Sequence, residues 1–482
     1  MFKPCKGATA GKQSIAKLTF VSVILLGWSG LLNAADHTIS LKTSTFDCSS
    51  VRAGDTVTLP SGTRDPLVIA GCNGTASNPI TIRNDSRGTG PTVIRSSSGS
   101  ERAFVLACNN CVGVVIDGSN KWSGAPNEET YGIKITMTGG EAPTAFLRIG
   151  GLSRFVTIRN VEVDGAWPAL ADHGIGISVN DHKIKLADHP GRWREGILIE
   201  RSYVHDIGAE GLYVGPPHYY GDLPLRNIEI RRNRIEDIGW NAINTKSMWE
   251  GNNSIHHNVV RRVGKNSSTS TNTSQYSAIT NISGTVKIYN NLIESSGQHG
   301  ISQWTGGGPL ASEGKGPFET YIWNNVIVGA GSLWRTFMGE SHGINVGAQD
   351  GCEKPIPYIF NNTIVNARRN AVRLAANVGG GFVKDNIVAD AGSTPIVAPI
   401  FVTQANNRVG AASQMDFMDA ENSNFRLRAT SPARNQSTNG FPENDFDDVP
   451  RPQDGAGDQG AFEFSSEISA ATPQAPSGLT VE

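Results

Sequence analysis

Several side chains that can transfer protons recur in short segments along the middle of this 482-residue chain. Lys246 is the leading candidate for a general base, because a lysine whose pKa is lowered by burial or by nearby positive charge can accept a proton. Tyr213 and Asn244 are expected to lie near it. The alternative is that Lys246 is an ordinary exposed lysine. A base of this kind can remove the C5 proton of an acidic sugar.

Two histidines occupy equivalent positions in successive repeats, His299 in Gln298–Ile301 and His342 in Ser341–Ile344. If the repeats stack as neighbouring strands, the two imidazoles lie about 5 Å apart. Such a pair can hold a sugar or relay a proton. The alternative is a structural pair that is hydrogen-bonded at a strand edge.

The same alignment predicts groups that bind rather than react. Glu210 and Asn241 share the histidine column and can hold a cation or a sugar hydroxyl. A calcium site needs several oxygen ligands together, and this column offers few carboxylates, so Ca²⁺ is a possible cofactor without an assigned site. Arg335 and Arg373 are candidate clamps for a substrate carboxylate, because an arginine can bind one through two hydrogen bonds.

Trp304 and Trp249 are predicted to stack on sugar rings, although tryptophan also fills loops. Lys183 belongs to a polar loop, residues 181–193, which is expected either to bind substrate or to be a solvated loop. Asn244 completes the predicted substrate-binding residues.

These residues depend on a repeat whose marker is an asparagine that follows a short apolar strand. The asparagines recur every 24 to 37 residues, at Asn233, Asn258, Asn291, Asn325, Asn362 and Asn386. Asparagine tolerates a left-handed turn conformation, and stacked asparagines can hydrogen-bond to one another. Short alternating strands, tight bends and no helical periodicity predict an all-β fold, a single-stranded right-handed parallel β-helix.

The strand after each bend gives aligned columns. The inward column is predicted to be Leu212, Ile243, Ile279, Ile301, Ile344 and Val372. Alternation then turns outward Tyr213, Asn244, Thr280, Ser302, Asn345 and Arg373. Two residues before each inward residue stand Glu210, Asn241, Ser277, His299, His342 and Asn370, which face outward only if the chain bends there.

The two ends of the chain lack the repeat. Residues 1–35 combine early lysines, a short apolar run and Asn33-Ala34-Ala35, which predicts a cleaved secretion signal and a secreted or periplasmic protein. Residues 36–464 form the predicted β-helix domain, with a C-terminal segment from about 391 that is expected to cover the last coil. Residues 465–482 read as a linker or tail, and no later run is apolar enough to span a membrane.

Composition limits the partners. The formal net charge is -2 and 18% of residues are charged, which argues against nucleic acid as a ligand. With Cys5 removed, five cysteines remain. A disulfide between Cys48 and Cys72 is one possibility in an oxidising compartment. Cys108 and Cys111 are expected to form a structural pair rather than a redox site, and Cys352 is expected to be free.

The opening of the domain is similar to a known group of enzymes. AGDTVTLPSGT (53–63), GTASNPITIRN (74–84) and CVGVVIDG (111–118) resemble the start of secreted polysaccharide lyases with the pectate-lyase β-helix, in particular family six, which holds alginate lyases and chondroitinase B. The resemblance implies a lysine base and an arginine on one sheet, often with calcium held by Asn and Glu. Lys246 matches that lysine through its setting in Ile243–Ser247, whereas the family's Arg-His-Gly-Asn run is absent.

Together these observations predict a secreted polysaccharide lyase that cleaves a uronate-containing polysaccharide by β-elimination, and we expect it to be a monomer. Two alternatives stay open. One is another carbohydrate-active β-helix, a glycoside hydrolase or a C5-epimerase; the other is a non-catalytic glycan-binding or adhesion protein. A hydrolase needs two carboxylates at a set separation, and the predicted face shows no evident pair.

Overall fold

In a computed structural model, the chain winds as a right-handed parallel β-helix, as the sequence predicts. The structure describes residues 34–96, 104–122, 131–139, 142–169, 174–181, 184–216, 222–266, 275–306, 316–438 and 442–466. The predicted secretion signal and most of the predicted tail lie outside these residues. No helix in the described residues is long and apolar enough to cross a membrane.

Three parallel sheets, named A, B and C here, form the wall of the helix, and each coil passes through B, then A, then C. Sheet A has 14 strands, and its strands are Asp36–Thr38, Thr56–Leu59, Ile80–Asn84, Val112–Asp117, Arg154–Arg159, Arg194–Glu200, Leu225–Arg231, Met248–Glu250, Ser254–His256, Val286–Tyr289, Glu319–Trp323, Ile356–Phe360, Phe382–Lys384 and Thr403–Ala405.

Sheets B and C have 12 strands each. Sheet B comprises Thr45–Asp47, Leu67–Ala70, Phe104–Asn109, Ala145–Gly150, Ile175–Val179, Leu212–Val214, Ile243–Lys246, Ile279–Ile282, Ile301–Thr305, Ile344–Ala348, Val372–Leu374 and Ile396–Val397. Sheet C comprises Gly62–Arg64, Thr92–Ser96, Ile133–Met137, Val161–Asp164, Tyr203–Ile207, Arg234–Ile238, Val259–Val263, Leu292–Ser296, Val326–Ala330, Thr363–Val365, Ile387–Ala389 and Arg408–Gly410. Two 3-10 turns, Cys48–Ser50 and Ala412–Gln414, and an antiparallel hairpin, Phe417–Asp419 with Asn424–Leu427, complete the described elements.

The apolar core fills the inside of the coils. All six residues of the predicted inward column are completely buried in one continuous cluster, so the predicted alternation is confirmed there. Side chains of the three sheets meet along the axis, and each coil contributes a few aliphatic residues. A solenoid of this kind is stabilised by neighbour-to-neighbour packing rather than by one central core.

The predicted asparagine stack is confirmed at the turn from sheet A to sheet C. Each amide nitrogen donates to the amide oxygen of the next coil at 2.8–3.0 Å, from Asn233 through to Asn407. The left-handed residue, however, is the one before each ladder asparagine, for example Asn290 with φ 51° and His257 with φ 55°. The ladder asparagine closes the bend by donating to the carbonyl two residues earlier, as Asn291 does to Tyr289 at 3.0 Å.

Disulfides join Cys48 to Cys72 and Cys108 to Cys111, which confirms both predicted pairs. Cys352 is also disulfide-bonded, and no described cysteine is free. The prediction of a free Cys352 is therefore wrong. That prediction paired the cysteines at positions 48, 72, 108 and 111 among themselves, which left Cys352 over among the five of the predicted mature chain.

The C-terminal segment, described over residues 411–438 and 442–466, packs along the flank of the solenoid on sheet C. Phe425, Phe446 and Phe462 pack in one cluster with an outward apolar stripe of sheet C that includes Val259, Leu292, Val326 and Ile387. The last coil meanwhile keeps Val397, Ile400, Phe401 and Val409 exposed. The segment therefore buries a side face that the repeat alone would leave apolar.

Candidate functional site

The outer face of sheet B carries the predicted site residues in register. Tyr213 pairs with Asn244, followed on successive strands by Thr280, Ser302, Asn345 and Arg373. A second outward column contains Lys246, Ile282, Trp304 and Gly347. Lys246 and Arg373 therefore belong to one side of the solenoid, and both histidines lie in the turns that lead into strands of the same sheet.

Lys246 and Tyr213 form a direct pair on this face. The Lys246 Nζ lies 2.7 Å from the Tyr213 hydroxyl and 4.5 Å from the centre of its ring. Both side chains are only 7% exposed. Burial lowers the pKa of Lys246, and the negative charge of Glu210 opposes that shift. The neutral amine is therefore more accessible here than on an exposed lysine.

The backbone around Lys246 needs a glycine on the neighbouring coil. Gly215 has φ 131°, and a Cβ at that position would come within 2.4 Å of the Lys246 carbonyl oxygen. On the inner side of the same strand, Thr245 starts a buried polar row by donating to Asn281 at 2.9 Å, and Asn281 donates to Gln303 at 2.6 Å. These contacts fix the strand on both faces.

Glu210 lies beside the pair and is almost fully buried. Its Oε1 accepts from Asn244 Nδ2 at 2.5 Å and, more weakly, from Asn241 Nδ2 at 3.5 Å. Burial raises the pKa of Glu210, against the lowering effect of Lys246 and the two amides. Because Glu210 contacts the outward residue Asn244, the chain does bend at this column.

The donor set around Glu210 does not fit a calcium ion. Calcium takes six to eight oxygen ligands, and one carboxylate is available among the described residues here. Asn241 Oδ1 is already an acceptor, from the Ser277 amide at 3.0 Å and the Thr280 hydroxyl at 3.3 Å. Asn244 Oδ1 is a buried oxygen without a hydrogen-bond partner, so of these two amides only Asn244 has a free oxygen.

Two carboxylate clusters with metal-ligand spacing occur elsewhere in the described residues. Glu162, Asp164 and His205 on sheet C are one, but the Lys134 ammonium lies 2.7 Å from Glu162 and 3.3 Å from Asp164. Asp454, Asp458 and Glu463 in the C-terminal segment are the other. Neither is on sheet B.

His299 and His342 stack as predicted from their column. Their ring centres are 5.4 Å apart with an interplanar angle of 7°. The His342 backbone N–H donates to His299 Nδ1 at 3.1 Å. Burial lowers the pKa of His342 to about 4 and holds that of His299 well below its ordinary value. Both imidazoles are therefore neutral at neutral pH, and this contact is the structural alternative foreseen for them.

The other predicted residues are placed as follows. Arg335 lies in the turn that enters sheet B and donates to the Lys265 carbonyl at 3.2 Å, away from the Lys246 pair. Trp249 is buried in the short sheet A strand Met248–Glu250, where it packs against Phe318 and makes an edge contact with Trp193 at 6.1 Å. Lys183 lies outside the described residues. Trp304 and Arg373 line a groove further along sheet B.

That groove also contains Lys354, which the sequence alignment missed. Lys354 belongs to the turn after the strand Ile344–Ala348, and turns of variable length cannot be aligned by the strand repeat. The one feature of the sequence that could have pointed to Lys354 is the length of this turn, which exceeds that of a tight bend.

No protein-family model and no curated protein matches the sequence. Among solved structures, the pectate lyase Pel9A is similar with a TM-score of 0.50 and 12% identity over 89% of this chain and 96% of that one. The family-six alginate lyase AlyGC gives 0.45 and 14%, over 91% of this chain and 59% of that one. A lacto-N-biosidase of family GH136 from Eubacterium ramulus gives 0.39 and 12%, over 75% and 63%.

The fold is thus a pectate-lyase-like β-helix, and the resemblance noted in the sequence holds at the level of the fold. A likeness at 12% identity defines the fold and not the chemistry, because one fold can carry many functions. The chemistry depends on the side chains of sheet B.

Proposed function

We propose that the protein is a polysaccharide lyase that cleaves a uronate-containing glycan by β-elimination at Lys246 and Tyr213. The observation that carries this proposal is the 2.7 Å contact between a buried lysine amine and a tyrosine hydroxyl on the outer face of sheet B. Elimination needs a base for the C5 proton and an acid for the leaving oxygen, and the pair offers one of each.

In the proposed reaction, the neutral amine of Lys246 takes the C5 proton of the uronate. The electron pair of the C5–H bond forms the C4=C5 double bond, and the C4–O bond to the preceding sugar breaks. The Tyr213 hydroxyl gives its proton to that oxygen. The ammonium of Lys246 then returns a proton to the Tyr213 phenolate across their hydrogen bond, which restores the starting state.

The substrate carboxylate must be neutralised as charge develops at C5. Burial raises the pKa of Glu210, which disfavours the negative charge that would repel a substrate carboxylate. Asn244, which contacts Glu210, supplies an amide beside it. No step is assigned to calcium, since the donor set does not fit it.

The proposal is tested with Lys246→Met and Tyr213→Phe on a panel of acidic polysaccharides. Elimination creates an unsaturated sugar whose ultraviolet absorbance reports turnover continuously. We expect wild-type turnover on at least one uronate polymer and losses of about 10²- to 10⁴-fold in kcat for either variant. Lys287→Ala, an exposed lysine on sheet A, is the control and should be unaffected.

Full turnover by Lys246→Met would refute the base assignment. A C5-epimerase would change the sugar composition without new absorbance, and a hydrolase would release reducing ends without it. A glycan-binding protein would give neither product. Measuring ultraviolet absorbance, reducing ends and sugar composition on the same reaction therefore gives each alternative its own result.

A further inference from the structure

A groove of about 550 Å³ opens on the outer face of sheet B, beyond Lys246 in the direction of the C-terminus. Trp304 forms one wall, and Arg373, Lys354 and Asp350 line the rest together with small residues of the strands and turns. The groove is separate from the Lys246–Tyr213 pair but lies on the same sheet.

The shape of the groove depends on small side chains. A Cβ at Gly347 would lie 2.6 Å from Trp304 Cζ3 and 3.0 Å from the Ala375 Cβ, so the indole packs across a position that only glycine leaves open. On the far side, Asn377 holds the turn, because the Ala348 N–H donates to its Oδ1 at 3.1 Å. Trp304 is itself half-buried, which leaves part of the indole for a ligand.

The charges of the groove suit an anion. The Arg373 guanidinium donates to Asn345 Oδ1 at 3.1 Å, and no described carboxylate lies within 4.0 Å of it or of the Lys354 ammonium. Most arginines of sheets A and C are by contrast paired, as Arg231 is with Glu200 at 2.8 Å. Arg373 and Lys354 are positive and Asp350 is negative, so the lining has a net charge of +1.

The groove is in line with the Lys246 pair. Trp304 is two strands from Lys246 in the same column, which is about 10 Å at ordinary strand spacing. Arg373 is four strands from Asn244, about 19 Å. A glycan that follows the solenoid axis over sheet B would therefore pass the pair and then the groove.

We propose that the groove lined by Trp304, Arg373 and Lys354 is a distal subsite for a second uronate of the same glycan, which rests on the proposed function. The sugar ring packs on the Trp304 indole, and its carboxylate binds the Arg373 guanidinium. The positive charge of Lys354 adds to the attraction of that carboxylate. The subsite makes binding depend on glycan length, since a disaccharide at the Lys246 pair does not reach it.

The test measures binding by calorimetry in a Lys246→Met background, with di- and hexauronates of galacturonate and mannuronate as probes. We expect Arg373→Ala and Trp304→Ala each to weaken hexauronate binding about 10-fold and to leave diuronate binding unchanged. Arg373→Gln, a smaller change, should give the same pattern. Arg95→Ala, an exposed arginine on sheet C, is the matched control and should bind as the background does.

The subsite would be overturned if the Arg373→Ala and Trp304→Ala variants bound the hexauronates as tightly as the Lys246→Met background protein does. It would also be overturned if the background protein bound no hexauronate. Tighter binding of a sulfated oligosaccharide without uronates would overturn the carboxylate assignment. Arg373-dependent hexauronate binding by a wild-type protein that makes no unsaturated product would refute the lyase function and keep the subsite. The two proposals can thus fail separately.

Discussion

The proposed reaction depends on three polar side chains of sheet B and its rim. They are a lysine that burial shifts toward its neutral form, a tyrosine in direct contact with it, and a glutamate that burial shifts toward its protonated form. Lys246 and Glu210 influence each other, because the Glu210 charge raises the pKa of Lys246 while Lys246 lowers that of Glu210. Their protonation states are therefore coupled, and the coupling can be measured in the pH profile.

Glu210→Gln should move the acid limb of the kcat/KM profile to lower pH. In the proposed reaction, the wild-type rate should rise as pH rises through the lowered pKa of Lys246, because the neutral amine is the reactive form. Glutamine removes the charge that raises this pKa and keeps a hydrogen-bond donor for the substrate. We expect the variant to retain activity, and the measurement is kcat/KM against pH for both proteins.

An inactive Glu210→Gln variant, together with wild-type activity that a chelator abolishes, would contradict this account. That result would mean that the carboxylate is a metal ligand and that the donor set is completed by something beyond the described residues.

The stacked strands and turns are the next scale, and the asparagine ladder is their most regular feature. Asn291 donates to Asn325, to the Ile255 carbonyl and to the Tyr289 carbonyl, all within 3.0 Å, and is completely buried. Asn291→Ala leaves several buried groups without partners, so we expect a loss of about 3 kcal/mol in the free energy of unfolding. Denaturant titration measures it.

The control for the ladder is Asn407→Ala, at its end, where the side chain donates to one carbonyl. We expect a loss of at most half that of Asn291→Ala. Equal losses at both positions would show that the ladder is not what stabilises the turn.

The histidine stack should make the protein sensitive to acid. The folded-state pKa of His342 is about 4, and the ordinary value is about 6.5, so the unfolded state binds more protons between these values. Stability should therefore fall as pH decreases through this window, by roughly 1–3 kcal/mol between pH 7 and 4. Urea titrations at several pH values measure it.

His299→Gln/His342→Gln should remove part of that pH dependence and leave the acid sensitivity of the carboxylates. If the double variant lost stability with acid as steeply as the wild type, the histidines would not be the cause.

For the molecule as a whole, the C-terminal segment closes the flank of sheet C through aromatic side chains. Phe446 is 1% exposed and packs against Phe462 with ring centres 5.2 Å apart. We expect Phe446→Ala to destabilise the fold by about 3–5 kcal/mol, because it opens a cavity in this cluster. Thermal and denaturant unfolding measure it.

Phe401→Ala on the last coil is the matched control, since Phe401 is 56% exposed. Its substitution should change stability little. A large effect of Phe401 with a small one of Phe446 would mean that the segment protects the end of the solenoid and not its flank.

Much of this architecture can be predicted from the sequence, because strands in a solenoid are nearly independent of distant context. The inward column and the asparagine stack follow from spacing alone, and so does the stacking of His299 on His342. Spacing alone does not predict which residue of each bend adopts the left-handed backbone conformation. Arg232 and His257 adopt it because the ladder asparagine that follows closes the bend. The contacts of Arg335 and Trp249 cannot be predicted for a related reason. Arg335 lies in a turn and Trp249 in an additional short strand of sheet A, and the repeat encodes the path of neither.

The most direct test of the central claim is mass spectrometry of the products that the wild-type protein releases from uronate polymers. Elimination by Lys246 and Tyr213 predicts that every new non-reducing end lacks one water relative to a hydrolysed end, and that Lys246→Met forms none of these products. Products with fully hydrated ends would contradict the account.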